Sequence, residues 1–161
     1  MKKSLDILSN VLQTIAGMLF IFIFSINVAG VICRTFLSFS LLWVADVTNI
    51  STSWMLAFGM SVAIYKKSHL TIEIIRDKFS QNNKKVLEIV LTFSIIVFLI
   101  SLIFSGWKTG IMKMSIEFTV LGIPTGYAFM ALPVFAFFSA IFMTNRLVNI
   151  ALSKEESLKS Q

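Results

Sequence analysis

Long apolar runs separated by short polar segments dominate this chain. A helix that rises 1.5 Å per residue needs about 20 apolar residues to cross a hydrocarbon core about 30 Å thick. Four runs meet or approach that length, so the pattern predicts an all-α integral membrane protein, with one membrane domain over residues 1–161. The second run is the shortest, and the pattern allows it to begin as early as Val47. The predicted transmembrane helices cover about residues 11–33, 50–65, 86–107 and 127–147.

The segment between the first two runs, residues 35–49, carries apolar side chains at helical spacing and polar ones toward its end. Phe36, Phe39 and Trp43 would share one face. A tryptophan ring suits the headgroup level, where its apolar body is buried and its indole N–H stays hydrated. We therefore expect an interfacial helix over about residues 35–49.

The segment after the second run is rich in lysine. Residues 66–85 hold six basic and two acidic residues, and an apolar face is formed by Ile72, Ile75 and Phe79. This pattern is typical of an amphipathic helix that lies on an anionic leaflet or against a partner. We place that helix at about residues 68–80.

The distribution of basic residues predicts the orientation. The amino terminus, the middle loop and the carboxyl end carry 2, 6 and 3 of the 14 lysines and arginines, which leaves Arg34, Lys108 and Lys113 for the other side. Cytoplasmic segments are enriched in Lys and Arg. Four spans then place both termini in the cytoplasm.

Composition supports this interpretation and narrows the function. The chain is 57% hydrophobic and 14% charged, with a mean hydropathy of +0.86, whereas a soluble domain has about a quarter charged residues. The net charge of +6 is spread between apolar runs rather than gathered on one polar face, which argues against nucleic-acid binding. The single cysteine, Cys33, excludes an internal disulfide.

The apolar cores lack the residues that transport or catalysis needs. Carboxylates, lysines and histidines inside spans usually mark ion or proton pathways, and here Asp46, Glu88 and Glu117 fall at or near the predicted span ends. The only histidine, His69, follows a lysine pair and could be a plain interfacial imidazole or could orient the turn there. We expect no enzymatic activity, no metal site and no bound cofactor.

Small and polar residues in the spans predict helix contacts. Asn27 should pack against a neighbouring helix, since a lipid-exposed amide is unfavourable. Ala57 with Ser61 and Gly59 with Ala63 are pairs of small residues four apart, which permit close approach of another helix. Pro133 should kink the fourth span, because it removes one backbone hydrogen bond.

One ordered set of residues runs along nearly the whole chain. Its members are Arg34, Trp43, Asp46, Gly59, His69, Pro124, Tyr127 and Pro133, the last three within LGIPTGYAFMALPV. This set resembles the small membrane subunit (DctQ-like) of TRAP transporters, the tripartite ATP-independent periplasmic carriers. The likeness agrees with four spans, although Ala45 occupies a position where family members often have a second acidic residue.

The resemblance implies a three-part secondary transporter for an organic acid, such as a C4-dicarboxylate, sialic acid or another sugar acid. A periplasmic binding protein would deliver the acid, and a large membrane permease would carry it by sodium symport. The present chain would be a non-catalytic scaffold beside the permease. Trp43, Asp46 and Tyr127 would lie at the periplasmic side with Arg34 close by, and Pro124 and Pro133 would also belong to the interface. The cytoplasmic side would be anchored by Lys66, Lys67, His69 and Arg76.

Two other classes of function remain open on the residues alone. A self-contained four-helix membrane carrier could act as a homo-oligomer. A membrane enzyme or assembly factor has only generic support.

Overall fold

The computed structural model describes the backbone of residues 2–76 and 81–159 and the side chains of residues 3–66 and 89–150. Within these ranges the chain is helical, apart from its connections and one isolated β-bridge. The helices are α1 (Lys2–Phe36), α2 (Trp43–Arg76), α3 (Gln81–Met112), α4 (Gly126–Phe129) and α5 (Ala131–Lys159), with a 3-10 turn at Lys113–Ser115 after α3.

Within the described ranges, four segments are long and apolar enough to cross a membrane. They follow one another in the predicted order, so the prediction of four spans in an all-helical chain is confirmed. By length and composition the spans are Lys3–Phe36, Trp43–Lys66, Ile89–Ser115 and Gly126–Ile150.

Helix α1 uses a single stripe of residues for its contact with α2. The covered positions recur every three and four residues, as in the a and d positions of a heptad repeat. They include Leu12, Ala16, Leu19, Ile23, Ile26, Gly30 and Cys33. At Gly30 an added Cβ would lie 3.6 Å from Val44 Cγ1, so the two helices are already in contact there. Most of the remaining surface of α1 is apolar and exposed.

The long helices pack in the spatial order α1, α2, α5, α3, so α2 and α5 form the middle of the layer. One apolar cluster joins α1, α2 and α5 through Leu12, Val62 and Phe142. A second cluster joins α3 and α5 around Leu99 and Ala136, with Met143. Each outer helix is therefore held mainly from one side.

The predicted interfacial helix over residues 35–49 is wrong. Helix α1 continues to Phe36, residues 37–42 are not helical, and α2 already begins at Trp43. The cause is local: Ser38 has a positive φ of 50°, which ends α1 in the left-handed conformation, and the N–H groups of Leu37 and Phe39 both point to Cys33 O. The helical spacing of the aromatic residues spans two helix ends and the turn between them.

Two other boundaries differ from the sequence pattern. Helix α2 passes Lys66 without a break and is described as far as Arg76, so the first part of the predicted 68–80 helix is continuous with α2. Residues 77–80 lie outside the described residues, as do the side chains that would form its apolar face. Helix α3 runs on to Met112, so the connection predicted from Lys108 starts one turn later.

Candidate anchoring and interface site

The connections α1–α2 and α3–α4 meet at one end of the layer, which we call the loop end. Asp46 in the first turn of α2 joins them. Its Oδ2 atom accepts the N–H of Val120 at 3.0 Å and the N–H of Leu121 at 3.2 Å. A carboxylate is also favoured at this position because the amino-terminal end of a helix dipole is positive. One oxygen thus binds the tip of a distant loop.

The loop that Asp46 holds is a compact turn. Glu117 and Pro124 form an antiparallel bridge, and Thr125 N–H donates to Ile116 O at 2.7 Å. Gly122 has a φ of 62°, a conformation that glycine adopts without a Cβ clash, and its N–H donates to Phe118 O at 3.0 Å. The backbone of the turn is largely paired, so the N–H groups at its tip are fixed in place to meet Asp46.

A break in the fourth span lies below this loop. Helix α4 ends at Phe129 and α5 begins at Ala131, which puts Pro133 in the first turn of α5. Proline has no N–H to donate to Phe129 O and its ring clashes with that carbonyl in a regular helix. Met130 separates α4 from α5 with its backbone in the right-handed helical region, and a kink at Pro133 stays a prediction.

Trp54 supplies a donor to the broken segment. Its indole Nε1–H donates to Tyr127 O at 3.2 Å. Seven residues further along α2, the Ser61 hydroxyl lies 2.7 Å from Ala57 O and 3.3 Å from Phe135 O. In a bilayer the carbonyls near a proline break need partners from neighbouring helices. Helix α2 donates to two carbonyls of the fourth span, Tyr127 O before Pro133 and Phe135 O after it.

Two glycines of α3 allow the break to pack closely. A Cβ at Gly106 would lie 2.9 Å from Pro133 Cδ, and a Cβ at Gly110 would lie 3.0 Å from the Met130 side chain. A Cβ at Gly126, the first residue of α4, would lie 2.6 Å from Gly110 O. Spacing of Gly-x-x-x-Gly type is a known device for close approach of membrane helices. Here it lets α3 contact the interrupted backbone.

A match to a family model accompanies this architecture. Its description is "Tripartite ATP-independent periplasmic transporters, DctQ component", and it covers residues 23–152. The chain belongs to the DctQ family. A comparison with curated proteins found no match. The resemblance inferred from the sequence is thereby confirmed, and the protein is a multi-pass membrane protein and a small component of a TRAP transporter.

The structure brings together some of the residues that the sequence pointed to in this DctQ chain. Asp46 and Pro124 lie at the two sides of the held loop, and Tyr127 is linked to α2 through its carbonyl. Trp43 is the first residue of α2 and is exposed. Arg34 lies in the last turn of α1 and is exposed. Their role as an interface stays a prediction.

At the opposite end, α1 and α2 are joined by side chains. Lys66 Nζ donates to Gln13 Oε1 at 2.5 Å, and the Tyr65 hydroxyl donates to Asp6 Oδ1 at 2.6 Å. Lys66 is therefore part of a contact within this DctQ chain. The side chains of Lys67, His69 and Arg76 lie outside the described residues.

Several residues of the site were missed by sequence reasoning. The roles of Trp54, Gly106 and Gly110 depend on contacts far away in the chain. The spacing of the two glycines was a usable signal, since it puts two small residues on one face of a span. The small pair Ala57 and Ser61 is buried as predicted, whereas Gly59 has nothing within 4 Å of an added Cβ.

Proposed function

We propose that this DctQ chain is the non-catalytic scaffold subunit of a sodium-coupled TRAP transporter in the bacterial inner membrane. A periplasmic binding protein delivers an organic acid, a large permease subunit transports it with sodium, and the present chain supports the permease. The substrate class is a C4-dicarboxylate, sialic acid or another sugar acid. Both termini lie in the cytoplasm.

The observation that supports a scaffold most directly is that polar side chains of α2 form hydrogen bonds with neighbouring segments of the chain. Asp46, Trp54 and Ser61 all bind backbone groups of the loop or of the fourth span. Asn27 donates to Thr48 across α1 and α2, as predicted for a packing amide. Groups committed to fixed backbone partners stabilise one arrangement of helices and leave little to bind a moving solute.

The order of the helices supports the same proposal. A carrier normally encloses its substrate near the bilayer midplane, at the interface between two structural repeats. In the described part of this chain, α1 packs on α2 and α3 packs on α5, with the two outer helices at opposite ends of the layer. A layer with two apolar faces suits attachment to a larger membrane protein, where it would widen the fixed part of an elevator-type carrier.

The first test is co-isolation. An affinity tag on this chain should retain the large permease subunit from solubilised membranes, at equal stoichiometry and through size-exclusion chromatography. Two variants help to locate the contact, and retention of the permease is compared between them. Asp46→Ala frees the loop, whereas Trp107→Phe changes only an exposed side chain. Isolation of the chain only as a self-associated oligomer would contradict the scaffold proposal and favour the self-contained carrier.

A further inference from the structure

The connection between α1 and α2 forms an apolar tip at the loop end. The exposed fractions are 79% for Phe36, 68% for Leu37, 61% for Phe39 and 66% for Leu42. No charged residue occurs between Arg34 and Asp46. An exposed group of large apolar side chains in one turn normally marks contact with a membrane or a partner.

The charged residues on each side of the tip set its depth. Helix α1 extends only two residues beyond Arg34, and α2 starts three residues before Asp46. At 1.5 Å rise per residue, the tip begins within about 5 Å of both charges along the helix axes. Charged groups at span ends lie at the headgroup level, so the tip belongs to the interfacial layer, where aromatic residues are enriched.

Backbone pairing and charge make the tip suited to phospholipid. The N–H groups of Leu37 and Phe39 point to Cys33 O, and that of Leu42 donates to Ser40 O, which lowers the cost of removing these groups from water. Arg34 is exposed and has no hydrogen bond or ion pair among the described residues. A guanidinium binds phosphate with two parallel hydrogen bonds.

From this arrangement we infer that the tip, residues 36–43, is a lipid anchor. Its apolar side chains insert into the interfacial layer of the bilayer, and Arg34 binds lipid phosphate beside them. The anchor would fix the depth of the α1–α2 hairpin independently of any transporter partner.

Site-directed spin labelling tests the depth directly. On a Cys33→Ala background, Phe39→Cys and Leu42→Cys would carry a nitroxide in full-length chain reconstituted in phosphatidylethanolamine–phosphatidylglycerol vesicles. Thr119→Cys, in the exposed loop, is the aqueous reference, and Phe98→Cys, on the exposed face of α3, is the lipid reference. All four sites are exposed, so labels there should leave the fold intact.

The lipid anchor predicts, at positions 39 and 42, higher oxygen and lower nickel-chelate accessibility than at position 119, with values between the two references. Arg34→Ala should shift the label at position 39 toward the aqueous reference, and Arg34→Lys should largely prevent that shift. Nickel accessibility equal to that at position 119 would overturn the proposal. Shielding from both reagents in the isolated transporter complex would also overturn it, because a protein would then cover the tip.

Discussion

The carboxylate of Asp46 lies 3.0 Å from the backbone nitrogen of Val120, a residue 74 positions later in the chain. This contact connects the start of the second span to the loop between the third and fourth. The same oxygen also accepts from Leu121. A single carboxylate therefore accepts both N–H groups of the loop tip.

Removal of this carboxylate should release the loop. Asp46→Ala leaves two N–H groups without their acceptor, at a cost of about 1–3 kcal/mol for each group that stays buried. Hydrogen–deuterium exchange over residues 116–125 should rise strongly, while exchange in α5 changes little. Asp46→Asn, which keeps an oxygen acceptor without the charge, should lie between wild type and Asp46→Ala. Equal exchange in all three proteins would show that the contact does not hold the loop.

Close packing at the helix break predicts opposite effects for glycine substitutions. Gly106→Ala places a Cβ 2.9 Å from Pro133 Cδ and should destabilise the chain by about 1–3 kcal/mol through overpacking. Gly59→Ala meets nothing within 4 Å and should be neutral or stabilising by up to about 1 kcal/mol, since alanine favours helix. Thermal unfolding in one detergent compares them. Equal midpoints would argue against tight contact between α3 and the break.

The indole N–H of Trp54 should contribute to the stability of the chain. Trp54→Phe keeps an aromatic side chain but removes the donor to Tyr127 O, with an expected loss of about 1–2 kcal/mol in unfolding free energy. Trp107→Phe is the matched control, because Trp107 is exposed and donates no hydrogen bond among the described residues. If the two variants unfold at the same temperature, the Trp54 hydrogen bond contributes nothing measurable.

Orientation should depend on the basic middle segment. Replacement of Lys66, Lys67, Lys84 and Lys85 by neutral residues removes most of its charge and should produce a mixed topology in a reporter fusion assay. Neutralising Arg34, Lys108 and Lys113 instead should strengthen the original orientation. Unchanged topology in the first variant would mean that apolar packing, not charge, orients the chain.

The sequence predicted the spans because a bilayer requires long uncharged runs, and that requirement is local. It failed at residues 35–49, where Ser38 adopts a conformation that helical periodicity cannot reveal. It also named Asp46 and Tyr127 without their physical roles, and it gave Pro133 a lost hydrogen bond without the residues that pack against it. Those roles depend on partners such as Leu121, Trp54 and Gly106, which only tertiary packing brings near.

The most direct test of a scaffold role is transport in proteoliposomes assembled from purified parts. With the large permease, this chain and the binding protein, a sodium gradient should drive uptake of a labelled organic acid. We predict no uptake by this chain alone, and loss of both uptake and complex stability when it is left out. A stable, fully active permease without this chain, or flux through this chain alone, would contradict the proposal.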